Sequence, residues 1–94
     1  MKNLIISEVI QEKPLHKHAV ARREVEQCFE NRDGKLLTDT RAHTKTDPPT
    51  LWFLAHTHSG RLLKIVYIQT EKKIFLKSCF EPNEVEVAIY KRYG

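Results

Sequence analysis

The chain has 94 residues, 40% hydrophobic and 30% charged, with a formal net charge of +4. That is enough for one small domain around a single core, and too little for a second. No apolar run approaches the roughly 18 residues of a membrane span, and the apolar patch in MKNLIISEVIQEK is too short for a signal peptide, so a cytoplasmic setting is expected.

Asn3 to Ser7, NLIIS, is a β-prone opening able to pair at a sheet edge. A charged connector follows, and Pro14 suits the first position of a brief helical turn in which Leu15 and Ala19 share a face. The clearest helix is VARREVEQCFEN. Its Ala21, Val25, Cys28 and Phe29 fall at i, i+4, i+7 and i+8, one stripe of a 3.6-residue repeat. Asn31-Arg32-Asp33-Gly34 ends it, with Gly34 suited to a left-handed conformation. KLLTDT, residues 35–40, reads as a strand. RAHTKTDPPT, residues 41–50, reads as an exposed loop because Pro48-Pro49 forbids helix and discourages sheet.

From residue 51 the pattern becomes that of a three-strand antiparallel meander over 51–57, 61–70 and 73–80. In the first strand Leu51, Phe53 and Ala55 face one way, and Trp52, Leu54 and His56 the other. The middle strand, RLLKIVYIQT, is nearly unbroken in its apolar character, as expected of an inner strand covered on both faces. Strict alternation in the third puts Ile74, Leu76, Ser78 and Phe80 on one face and Phe75, Lys77 and Cys79 on the other. Pro82 suits the first turn of a closing helix, with Glu81, Glu84 and Glu86 near its positive end, Lys91 and Arg92 near its negative end, and an apolar stripe of Val85, Ala88, Ile89 and Tyr93. The fold class is therefore α+β. A small antiparallel sheet of three to five strands carries the N-terminal helices on one face, and the other face is left to solvent or ligand beside Lys77, His56 and Lys64.

Cations and histidines dominate the candidate chemistry. Lys17, His18, Arg22 and Arg23 surround a helix start where a phosphate would be favoured, against the alternative of a solvated charged face. Arg61 opens the central strand and can reach a phosphate, or it merely flanks a turn. Lys77 sits mid-strand among apolar neighbours, so it pairs with Glu84 or Glu86 or meets an incoming anion. His16-x-His18 and His56-x-His58, with His43 or an acid, are loose candidates for zinc. Structural zinc sites generally bring cysteine pairs, however, and Cys28 and Cys79 read as reduced core thiols; no metal or cofactor is expected. Trp52 and Tyr67 are either aromatic platforms for RNA or core residues, and Tyr90 either closes the core or faces the open side. No paired carboxylates, nucleophile elbow or Gly-rich phosphate loop is present.

The segment KHAVARREVEQCFEN resembles the opening of BrnT-type toxins. TLWFLAHTHSGRLLKIVYIQTEKKIFLKSCFEPNEVEVAIY is similar to the strands and last helix of that family, so the resemblance spans residues 15–93. It implies a RelE-like fold and a metal-independent endoribonuclease that blocks translation by acting on mRNA until a cognate antitoxin neutralises it. Lys17 and His18 match the family's Lys-His pair, and Glu86 and Tyr90 its acid and aromatic. Two positions depart: Lys77-Ser78 stands where the family carries an arginine, and Ala19 where it carries a glycine. In that chemistry His18 is the natural base or acid, and Lys17, Arg61 and Lys77 stabilise charge on the phosphate. Arg22, Arg23, Trp52 and His56 would bind the substrate. The competing expectation is a non-catalytic nucleic-acid- or protein-binding module on the same scaffold, favoured by the missing arginine.

Overall fold

The computed structural model describes residues 1–39 and 48–94. They form a five-stranded sheet in the order β1-β5-β4-β3-β2, from β1 (Leu4–Ile5), β2 (Leu37–Thr38), β3 (Thr50–His56), β4 (Leu62–Gln69) and β5 (Ile74–Phe80). The β3-β4-β5 meander is antiparallel as expected, and β2 adds antiparallel to β3. The opening strand β1 pairs in parallel with β5, so the sheet is mixed. Short helix α1 (Glu8–Ile10) runs into a π-helical turn (Gln11–Leu15), followed by α2 (Arg22–Asn31) and the closing α3 (Glu84–Tyr93). The architecture is the α+β one expected, with helices at both ends of the chain. Most of the predicted 41–50 loop lies outside the described residues.

Alternation along β3 and β4 divides the core in two. Phe53, Leu63, Ile65 and Tyr67 point toward α2, where they meet Val25 and Cys28. Phe29 closes that side with edge contacts of 5.0 Å to Phe53 and 5.1 Å to Tyr67. Burial of each large side chain of this kind stabilises the fold by about 1.5–3 kcal/mol. On the opposite face Trp52, Leu54 and Val66 form a smaller cluster under Val87 and Tyr90 of α3.

The face expected to be open is therefore covered in part by α3. What stays accessible lies toward β5, where Ile5, Ile68, Ser78 and Phe80 are half-buried and Phe75 is exposed.

Five local expectations are corrected. Pairing of Val66 with Ser78 and of Tyr67 with Leu76 leaves Lys77 as an extra residue in β5. This bulge reverses the alternation beyond it, so Cys79 joins Leu76 and Ile74 in the core while Ser78 and Phe80 turn to the other face. The charged connector 8–13 is helical, because the Ser7 hydroxyl caps it by accepting from the Ile10 N–H at 3.4 Å. Pro14, expected at a helix start, sits within the π turn. Gly34 is not left-handed; it is small because an added Cβ would lie 2.5 Å from the Tyr90 hydroxyl.

The fifth correction concerns α3. Asn83 rather than Pro82 opens the helix, and the residues that face the sheet are Glu86, Val87 and Tyr90. Val85, Ala88, Ile89 and Tyr93, the predicted packing stripe, are exposed. A buried cation on the sheet sets this rotation.

Candidate functional site

That cation is Lys64, placed in the middle of β4 between buried Leu63 and Ile65. Its Nζ lies 2.5 Å from Glu86 Oε2, and the two side chains are only 10% and 17% exposed. The ammonium also sits 4.5 Å over the Trp52 ring and 5.6 Å from the centre of Phe80. A charge taken this far from water persists only where an opposite charge and polarisable partners replace its hydration, and both are present. The other Glu86 oxygen accepts from the Asn83 N–H at 3.0 Å while Asn83 Oδ1 accepts from the Glu86 N–H at 2.8 Å, a capping box that starts α3. One carboxylate thus neutralises the sheet's inner cation and begins the helix above it.

Tyr90, one turn further on, carries its ring 5.8 Å from Trp52 and donates its hydroxyl to the Lys35 carbonyl at 2.9 Å. Burial pushes this phenol above its ordinary pKa, against the lowering effect of Arg32. Between α3 and β2 a cleft of about 410 Å³ opens beside Lys64 and Glu86, walled by Trp52, Ile89 and Tyr93.

Arg61, at the start of β4, holds the corner between the π turn and α2. Its guanidinium donates to the His18 carbonyl at 2.5 Å and to the Ala19 carbonyl at 2.8 Å. It also meets Glu24 at 3.6 Å and Glu81 at 3.4 Å. Glu24 in turn accepts from the Ala21 N–H, which begins α2. Ala19 is thereby kept at φ +52°, a left-handed conformation that costs a residue with a Cβ about 1 kcal/mol. The His18 ring, half-buried, lies 5.9 Å from the Phe80 ring. Since Phe80 also touches Lys64, a continuous line runs from Arg61 through His18, Phe80 and Lys64 to Glu86.

The other candidates lie apart from this line. Lys77 is exposed in a separate cleft beside Ile5, Val9, Ile10 and Phe75, and neither Glu84 nor Glu86 pairs with it. Arg22 binds Glu26 and the carbonyls of Met1 and Leu4, so it secures the N-terminus. Arg23 and Lys17 are exposed, without an ion pair among the described residues. Trp52 and Tyr67 are both core residues. His56 lines a cleft of about 350 Å³ with Tyr90 and Lys91 on the α3 side, while His58 turns back to Glu30 at 3.4 Å.

His56 and His58 therefore diverge. Among the described residues no three His, Cys, Asp or Glu side chains are arranged to hold a metal ion, and His43 lies outside those residues. Cys28 and Cys79 are free and fully buried; desolvation pushes their thiols up to about 11 and about 12.

Sequence reasoning underweighted Lys64. The signal was a lone cation inside LLKIVYI, the one charge in a strand buried on both sides. Among the described residues no helix is long and apolar enough to cross a membrane. No protein-family model matches the chain, and no curated protein matches it.

Proposed function

We propose that this chain is the toxin of a toxin–antitoxin pair, a cytoplasmic RelE-like endoribonuclease that cleaves mRNA without a metal ion and is silenced by its cognate antitoxin. The observation that carries the reading is the seating of His18. Its backbone and that of Ala19 are gripped by Arg61, which aims the imidazole along Phe80 at the accessible half of the sheet face. His18 takes the proton of a ribose 2′-hydroxyl as the 2′-oxygen attacks phosphorus; the P–O5′ bond breaks, the leaving 5′-oxygen takes a proton from solvent water, and a 2′,3′-cyclic phosphate remains. The adjacent Lys17, exposed and without an ion pair among the described residues, supplies charge to the phosphate oxygens. Phe80, half-buried, offers a ring against which a base can stack. Arg61 and Lys64 act as positioning residues, the first through the His18 corner and the second under Phe80.

Induction of the wild-type chain should arrest growth, and the product of the neighbouring open reading frame should relieve it. The purified chain should cleave single-stranded RNA in the presence of EDTA, and His18→Ala should abolish cleavage by at least about 100-fold with the circular dichroism spectrum unchanged. Cleavage that survives His18→Ala sinks the assignment.

A second reading has its own support. Glu24 and Glu81 neutralise Arg61, and Glu86 neutralises Lys64, as suits a module that holds RNA or an acidic protein without cutting it. Salt-sensitive RNA binding with no cleavage at any pH between 5 and 9 would select this reading instead.

A further inference from the structure

The lysine that the strand pattern singles out in β5 is left without a task by the site around His18. Lys77 is the extra residue of the β5 bulge, and a bulge re-aims the side chain it carries. Here it lines a cleft of about 350 Å³ formed with the end of β1 and with α1. Ile5, Val9, Ile10 and Phe75 give the cleft apolar walls, and Val9 and Phe75 are 59% and 37% exposed. Among the described residues Lys77 is the only charged one that lines it, no carboxylate does, and its ammonium has no ion pair. Guarding a bare strand edge does not account for the cation, because α1 and the π turn already pack beside this part of β5. No residue of α3 or β2 lines the cleft, which lies at the β1 margin, about 19 Å across the strands from β2.

We infer that this cleft is a binding site for an amphipathic monocarboxylate, a medium-chain alkyl acid whose tail lies against the apolar walls and whose head meets Lys77. The lining argues for that class. A single ammonium matches one negative charge, whereas a doubly charged phosphate calls for further cations or a bidentate guanidinium. The Ser7 hydroxyl adds a second donor at the cleft. Its oxygen accepts from the Ile10 N–H at 3.4 Å, which leaves its own proton for a carboxylate oxygen. The walls are aliphatic except for Phe75, so a flexible tail fills them better than a flat ring system. At about 350 Å³ the cleft reaches the size of small-molecule sites, which begin at ~300 Å³. Neither His18 nor Phe80 takes part, so this binding stands whether or not the chain cleaves RNA.

Titration of the full, nitrogen-labelled chain with sodium octanoate, followed by amide chemical shifts, tests the idea. The wild type should saturate at a single site, moving the amides of Ser7, Ile10, Phe75 and Lys77, with a dissociation constant of about 1 mM or tighter for so small a ligand. Octanol, which has the same tail and no charge, should bind at least ~tenfold more weakly. Lys77→Met should weaken octanoate by at least ~tenfold and remove its advantage over octanol. Val9→Asp, at an exposed position, sets a carboxylate in the wall and should exclude octanoate. Inorganic phosphate in excess should not displace the probe. Circular dichroism on each variant reports retention of the fold. The inference is overturned if octanoate does not saturate, if Lys77→Met leaves its affinity unchanged, if octanol binds the wild type as tightly, or if phosphate competes.

Discussion

The Lys64–Glu86 pair offers the sharpest test of how α3 is held. At their 2.5 Å separation, opposite unit charges attract by about 7 kcal/mol at an effective dielectric near 20. Desolvation of both groups cancels most of this, so the net worth of the pair is small while the penalty for losing one partner is large. Glu86→Gln is the informative change, because the amide oxygen can still accept from Asn83 and the capping box survives. It leaves an ammonium 10% exposed beneath a helix, with the Trp52 and Phe80 rings beside it. Breaking a fully buried pair costs about 3–5 kcal/mol, and the partial exposure here lowers the expectation to about 2–3 kcal/mol. Lys64→Met should cost a similar amount by removing the ammonium that Glu86 faces at 2.5 Å. The double variant should be nearly as stable as wild type, since two uncharged side chains of comparable length then fill the space. Urea denaturation of all four proteins gives the coupling energy, expected at about 2 kcal/mol or more. If the two single losses simply add in the double variant, the pair does not fasten α3 and the account of its rotation is wrong.

Three further outcomes follow from the geometry. Ala19→Gly should raise stability by about 0.5 kcal/mol, the left-handed strain relieved less the extra backbone entropy of glycine; a lower thermal midpoint would contradict it. Gly34→Ala should cost about 2 kcal/mol, as the new methyl displaces the Tyr90 ring and its bond to Lys35, and Tyr90→Leu in the same chain should recover part of the loss. The buried thiols make stability fall in alkali. Cys28 and Cys79 keep their protons to about 11 and about 12 when folded but lose them from the ordinary 9.0 when unfolded. Their contribution is complete below pH 9 and is lost as pH climbs through the folded values. A thermal midpoint flat from pH 8.5 to 11 would refute this.

The strands were legible because their signal is local. The apolar runs at 51–57, 61–70 and 73–80 correspond to β3, β4 and β5 within a residue or two at each end, and NLIIS and KLLTDT both contain edge strands. Val25, Cys28 and Phe29 marked the packed side of α2 for the same reason. The failures share a different cause. The bulge at Lys77 depends on how β4 lies against β5, the size of Gly34 on a tyrosine 56 positions away, and the facing of α3 on the cation beneath it. None of these has a periodicity to read.

The site divides along the same line. Glu86 and Tyr90, named through the family resemblance, share the side of α3 that faces the sheet, and their partners there are Lys64 and Trp52. Arg61 and His18 do come together, but through main-chain carbonyls 42 and 43 positions distant, and side-chain identity says nothing about such a contact.

Both margins of the sheet end in strands of two residues, Leu4–Ile5 and Leu37–Thr38. A margin that short offers an incoming chain scarcely a rung or two of main-chain pairing, too little to seed ribbon-like stacking of molecule on molecule. Crowding of this protein at high expression should therefore not yield fibres, brevity of the margins doing here what charge or proline does in other sheets.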